Sequence, residues 1–165
     1  MASNKNKNVK RNCDGFTITE LMTSVAIVGM LSGVAMPKYL QQAQKARQAD
    51  VANQITQIIS TVQAYREEFL DEPRSWDDLA RVMAVSTATG TARGGSYSSI
   101  QSPNGGHYRI SISPGSRFSP TRITASPTDR KQDGWSVRAC INTESGVMQI
   151  EKQSPNSNFV YPSCS

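Results

Sequence analysis

Histidine is almost missing from this chain: 165 residues hold one, His107. A metal site built from several histidines therefore cannot form within one chain, and a hydrolytic triad would have a single base to draw on. His107 is read more simply as the start of a strand or a water-facing side chain. The carboxylates offer no substitute centre. Glu67, Glu68, Asp71, Glu72, Asp77 and Asp78 lack the spacing of a calcium loop and read as a solvated helix end. No internal repeat is visible, and no catalytic residue, metal or cofactor is expected.

Cysteine is scarce as well. Of the three, Cys13 lies in a basic head, whereas Cys140 and Cys164 lie near the end. Removal of the head would leave an even pair, as suits a disulfide in an oxidising compartment; three free thiols in a cytosolic protein is the alternative. Positive charge is also concentrated. Residues 1–15 carry Lys5, Lys7, Lys10 and Arg11 against Asp14, and the remainder holds 14 Lys/Arg against 12 Asp/Glu, out of a net +5. Cations ahead of an apolar run hold that end in the cytoplasm, so nucleic-acid binding is not needed to explain the basicity.

Apolar residues are gathered in 16–36, FTITELMTSVAIVGMLSGVAM. As a helix this stretch rises about 31 Å, close to the hydrocarbon thickness of a bilayer. It is a polar span for its kind, holding Glu20, Thr17, Thr19, Thr23, Ser24 and Ser32. A carboxylate within a membrane segment costs a few kcal/mol and signals function. The hydroxyls can bond the helix's own carbonyls. Gly29 and Gly33 form a small-xxx-small pair that admits a second helix, a spacing that also arises by chance.

Helical patterning resumes after Pro37. Val51, Ile55, Ile58, Val62, Tyr65 and Phe69 make a one-sided stripe, with Gln, Lys, Arg and Asp opposite. One long helix is expected over 16–70, loosened or kinked near Gly29, Gly33 and Pro37. Pro73 ends it. Ser75 should cap a short helix, WDDLARVMAV, whose Asp77 and Asp78 sit near its positive end. Residues 86–106, rich in Ser, Thr, Gly and Asn, read as a long exposed loop. Strand patterns follow at 107–113, 121–126, 135–142 and 147–152, the last two joined through Thr143–Gly146. The tail from Gln153 reads as irregular.

The residues GFTITELM (15–22), with the basic head, Pro37 and Tyr39, resemble the processing motif of type IV pilins and type II secretion pseudopilins. The resemblance covers roughly residues 10–70. It departs from the usual pattern at Thr19, where an apolar residue is common, and at Asp14, where a basic one is. It implies a pilin-like α+β fold: a long N-terminal helix, apolar then amphipathic, packed on a small antiparallel sheet. It implies a leader, 1–15, removed by a membrane aspartyl peptidase that cuts between Gly15 and Phe16 and methylates the Phe16 amine. Residues 16–37 would be the transmembrane and assembly helix, and 38–165 a periplasmic or extracellular head.

Within that picture Glu20 pairs with the Phe16 amine of a neighbouring subunit; snorkelling to the headgroups is the plainer alternative. The resemblance adds a stapled C-terminal loop, Cys140–Cys164. Implied partners are other copies or related pilins, the peptidase, an assembly platform and the inner membrane, and the implied product is a cell-surface pilus or periplasmic pseudopilus. Arg109, Arg117, Arg122, Arg130, Lys131 and Arg138, near Tyr108, Phe118 and Trp135, could touch DNA, although arginines on the outer side of strands explain them more cheaply. Within the family the alternatives are a pseudopilin or a minor pilin. Outside it stands a secreted enzyme or binding module whose ordinary signal is cut at Gly33-Val34-Ala35, to start near Met36.

Overall fold

The computed structural model describes residues 15–116, 119–132, 134–155, 157 and 160–164. The basic head with Cys13, and also Arg117 and Phe118, lie outside the described residues. The architecture is α+β. Helix α1 spans Ile18–Phe69 and α2 spans Trp76–Val82; among the described residues seven strands follow, β1 Ser86–Thr87, β2 Gly90–Thr91, β3 Ile100–Gln101, β4 Tyr108–Ser113, β5 Thr121–Pro127, β6 Val137–Ile141 and β7 Met148–Lys152. By contacts the chain divides into two compact units, up to Leu40 and from Gln41 onward.

In the first unit α1 runs without interruption through Gly29, Gly33 and Pro37. Thirteen large apolar side chains between Phe16 and Leu40 are 56–78% exposed. They point around the whole circumference, the pattern of a helix that lives in a non-aqueous environment. This part of α1 is long and apolar enough to cross a membrane.

The second unit is a meander. Strands β3 to β7 are hydrogen-bonded in chain order, all antiparallel, with Ile110 opposite Ala125 and Ile123 opposite Ala139. Alternation puts Tyr108, Ile110, Ile112, Ile123, Ala125, Val137, Ala139 and Ile141 on one face, where they form a core with the stripe of α1 and with Trp76 and Leu79 of α2. Each buried isoleucine contributes about 1.5–3 kcal/mol by leaving water.

The helical stripe differs from the expected one at its edges. Ala52 and Ile59 join the core, while Phe69 is 40% exposed at the last turn. Gln48 and Gln54, assigned by pattern to the polar face, are buried. Gln48 Nε2 donates to the carbonyls of Ser136 (3.2 Å) and Gln153 (2.7 Å), and Gln54 Nε2 to that of Ser86 (2.8 Å). These amides supply donors to backbone carbonyls in the interior, that of Ser136 accepting from the Gln153 amide as well.

The stretch 86–106 is not simply an exposed loop. It contains the β1–β2 hairpin and β3, which edges the main sheet, and it buries Ala92, Ile100 and Ser102. Single apolar residues among Ser, Thr and Gly give no alternation to read, so tertiary pairing decides these strands. The loop is anchored by two aromatic side chains. Trp76 Nε1 donates to the Ser98 carbonyl at 2.8 Å, Tyr97 Oη to that of Pro73 at 3.1 Å, and the two rings meet edge-on with centroids 5.3 Å apart. Burial holds the Tyr97 phenol well above its ordinary pKa.

Ser75 caps α2 as its sequence position requires, accepting from the Asp78 amide at 3.1 Å. The helix stops at Val82 instead of continuing to Val85, because Met83 turns extended and Val85 pairs with Ala92. The Ser75 side chain, with the Arg74 amide, holds the Asp78 carboxyl below the usual range against the opposing effect of partial burial. A carboxylate with a lowered folded pKa adds stability above its unfolded pKa, near 4, that is lost as pH falls through the folded value. Ser75→Ala is expected to cost about 1 kcal/mol in denaturant melts at neutral pH and less at pH 3. An equal loss at both pH values would refute the coupling.

Candidate functional site: the start of the long helix and the stapled tail

At the N-terminal end, Gly15, Phe16 and Thr17 lie outside helix and strand and are exposed, and α1 starts at Ile18, two residues later than the pattern suggested. The reason is local. The Thr17 amide donates to Glu20 Oε2 (3.0 Å), Thr17 Oγ1 donates to the same oxygen (2.6 Å), and the Glu20 amide points back at Thr17 Oγ1 (3.3 Å). This reciprocal arrangement is a capping box, with Thr17 at the cap and Glu20 three residues in. Two of the four orphan amides of the helix start are thereby satisfied. Sequence reasoning weighed two roles for Glu20 and missed this one, although Thr-x-x-Glu ahead of an apolar run is its signature. A carboxylate in the first turn is also favoured by the helix dipole. So Glu20 is held immediately beside the Gly15–Phe16 junction by the chain's own backbone.

The other hydroxyls of the apolar segment are satisfied internally. Thr23 Oγ1 donates to the Thr19 carbonyl (3.0 Å), Ser24 Oγ to that of Glu20 (2.7 Å) and Ser32 Oγ to that of Val28 (2.7 Å). Each can enter hydrocarbon without an unpaired donor. A side chain built on Gly29 or Gly33 meets nothing within 4 Å. Within one chain, then, neither glycine is required by packing.

At the other end, Cys140 and Cys164 are bonded, with S–S 2.07 Å and Cα atoms 5.9 Å apart. Cys140 alternates with the core residues Val137, Ala139 and Ile141, so it lies on the opposite face of the sheet. The tail is pinned there, and both cysteines are fully buried. Tyr161 lies over the Arg138 guanidinium, 3.9 Å from ring centroid to Cζ. Gly134 (φ +101°) supports the same tail: a Cβ there would stand 2.9 Å from Pro155 Cα.

Of the remaining candidates, Arg109, Arg122, Arg130 and Lys131 are exposed and Arg138 is half-buried. His107 is half-buried and follows the Gly105–Gly106 turn into β4, beside a cavity of about 200 Å³ shared with Arg47, Asp50 and Tyr108. The Tyr108 phenol donates to the Trp135 carbonyl at 2.9 Å, and burial pushes it up to about 12. The acidic group is more than a solvated helix end. Glu72 Oε1 accepts from Arg66 Nη1 (2.9 Å) and from Thr143 Oγ1, tying the end of α1 to the β6–β7 turn.

A capped apolar helix opening after a Gly–Phe junction, continued into a meander head with a stapled tail, is the arrangement that the resemblance to type IV pilins implies. Comparison with known proteins agrees. Residues 10–36 match the prokaryotic N-terminal methylation motif. Over 164 residues the chain is 25% identical to the type IV major pilin protein PilA of Myxococcus xanthus (strain DK1622), an alignment covering 88% of this chain and 70% of that protein. No solved structure matches significantly.

Proposed function

We propose that this chain is a prepilin, cut between Gly15 and Phe16, methylated on the new Phe16 amine, held in the inner membrane by 16–37 and polymerised into a type IV pilus. The observation that carries the reading is the apolar half of α1. Thirteen exposed large apolar side chains far exceed the patch a soluble monomer tolerates. Lipid covers them before assembly, and neighbouring helices cover them afterwards.

A cut after residue 15 leaves this helix on the mature protein and removes most of the charge that fixes its end in the cytoplasm. It also creates an amine one residue from Thr17 and its bonded Glu20. In the filament the Glu20 carboxylate faces the Phe16 amine of a neighbour, which sets the register between subunits. Gly29 and Gly33, unused within the chain, give room for the close approach of a second helix. The stapled tail favours a pilus subunit over a pseudopilin, since it protects an end of the chain that a cell-surface filament exposes. The function is structural, with no catalytic step.

Mass spectrometry of the mature N-terminus tests this. The expected species begins at N-methylated Phe16 and is abundant in filaments sheared from cells. A mature chain beginning near Met36 would instead support an ordinary secreted protein and sink the proposal.

A further inference from the structure

Three local rules are broken at the C-terminal end of α1, within five residues. Glu67 and Glu68 stand in the last turn, where the helix dipole disfavours acids. Leu70 follows in the left-handed region, φ +54°, a position suited to glycine, and its side chain is 82% exposed. Phe69 beside it is 40% exposed. Arg66 in the same turn offsets part of this charge, and Phe69 rests against Tyr65 (ring centroids 4.6 Å) with Arg81 5.9 Å above its ring. Among the described residues, however, no hydrogen bond or ion pair engages the Glu67 or Glu68 side chains, and nothing covers Leu70. Local violations that are only partly compensated within the chain mark candidate functional surfaces.

The opposite charge lies elsewhere on the same unit. Residues 41–85 hold five Lys/Arg against seven Asp/Glu, whereas 86–165 hold eight against four. The outer face of the sheet, turned away from the core, presents Arg109 and Arg122 among Ser111, Ser113 and Ser126, all exposed. Beside Arg122 a hollow of about 20 Å³ is lined by Thr124, Arg138, Ala139, Tyr161 and Pro162. Tyr161 is 64% exposed there, giving apolar surface next to a cation.

Resting on the pilin reading, we infer that the acidic end of α1 in one copy, with Leu70 as its apolar knob, docks on the outer sheet face of a second copy beside Arg122 and Tyr161. The two patches are different surfaces of one chain, so the contact is heterologous. Repeated with a rotation that does not close into a ring, it generates an open helical array, as a filament needs. Like-charge juxtaposition across it would be strongly unfavourable, which gives the contact its specificity.

Charge exchange in cells expressing the full chain tests this. E67K/E68K and R109E/R122E are each expected to lower the yield of sheared filaments at least about tenfold, and the fourfold reversed chain to recover to within about threefold of the parent. E67K/E68K puts cations at a helix C-terminus, which stabilises the monomer, so its loss of filaments cannot be ascribed to misfolding. Leu70→Gly relieves the backbone in the same way and is also expected to reduce the yield. Normal filaments from either paired reversal overturn the inference. So does a fourfold chain that is cut and disulfide-bonded yet unassembled. R109E/R122E filaments of normal yield that lose binding to a double-stranded DNA oligomer would assign the basic face to a polyanion instead. A parent chain that builds no filaments overturns the pilin reading itself, and this contact with it.

Discussion

Glu20→Gln is expected to cut the yield of sheared filaments at least about tenfold while the chain is still inserted and accumulates in the membrane. Glutamine keeps a carbonyl oxygen to accept from the Thr17 amide, so the capping box survives and only the charge is lost. Removing one partner of a desolvated ion pair costs about 3–5 kcal/mol, because the other charge is left alone in hydrocarbon. The control is Thr17→Val, which removes the hydroxyl from the cap and leaves the carboxylate. It is expected to fray the first turn at a cost of about 1 kcal/mol and to assemble much closer to the parent. Equal defects in the two variants would mean that Glu20 acts through the helix start alone. Filaments at parental levels from Glu20→Gln would remove the intersubunit pair from the account.

The second large effect concerns the tail. Cys140 and Cys164 are 24 residues apart in sequence, and a loop of that size corresponds to about 3–4 kcal/mol in the chain-entropy view. Cys140→Ser with Cys164→Ser is therefore expected to lower the stability of the detergent-solubilised chain by that amount in urea titration. The core lies on the other face of the sheet, so far-ultraviolet circular dichroism should keep its native form at low denaturant. Tyr161 should become accessible to proteases once it leaves Arg138. A loss under about 1 kcal/mol would show that the tail is held by its other contacts.

Much of this arrangement was legible beforehand because it is written in periodicity. The stripe from Val51 to Tyr65 and the alternation of Tyr108–Ser113 and Thr121–Pro127 each carry several apolar residues at the spacing of one element. Pro73 and Ser75 punctuate the break between helices with mechanisms of their own. What could not be read depended on partners distant in sequence. Ile100 pairs through Ile110, and Gln48 is buried because Ser136 and Gln153 bring carbonyls to it from 88 and 105 residues away. Nothing around Gln48 distinguishes it from the glutamines at 41 and 42. At the candidate site the reverse holds. Thr17 and Glu20 are three residues apart and their bonds are local, so the capping box is legible in the sequence even though the apolar surroundings of Glu20 point first to a membrane role. Leu70 gave no signal, since its left-handed backbone follows from how the chain leaves the helix.

Spatial order in the main sheet equals chain order, β3 through β7, with every neighbour the next strand along. That simplicity has a kinetic consequence. Under the proposed topology, a chain threaded across the membrane from residue 38 onward would deliver the second half of α1 first, as a template, and then one strand at a time. Each strand finds its mate already waiting at the growing edge, so no distant segment need be awaited and little loop entropy is spent on pairing. Cys164 then reaches back to Cys140, and oxidation ties the tail to a sheet that is already complete.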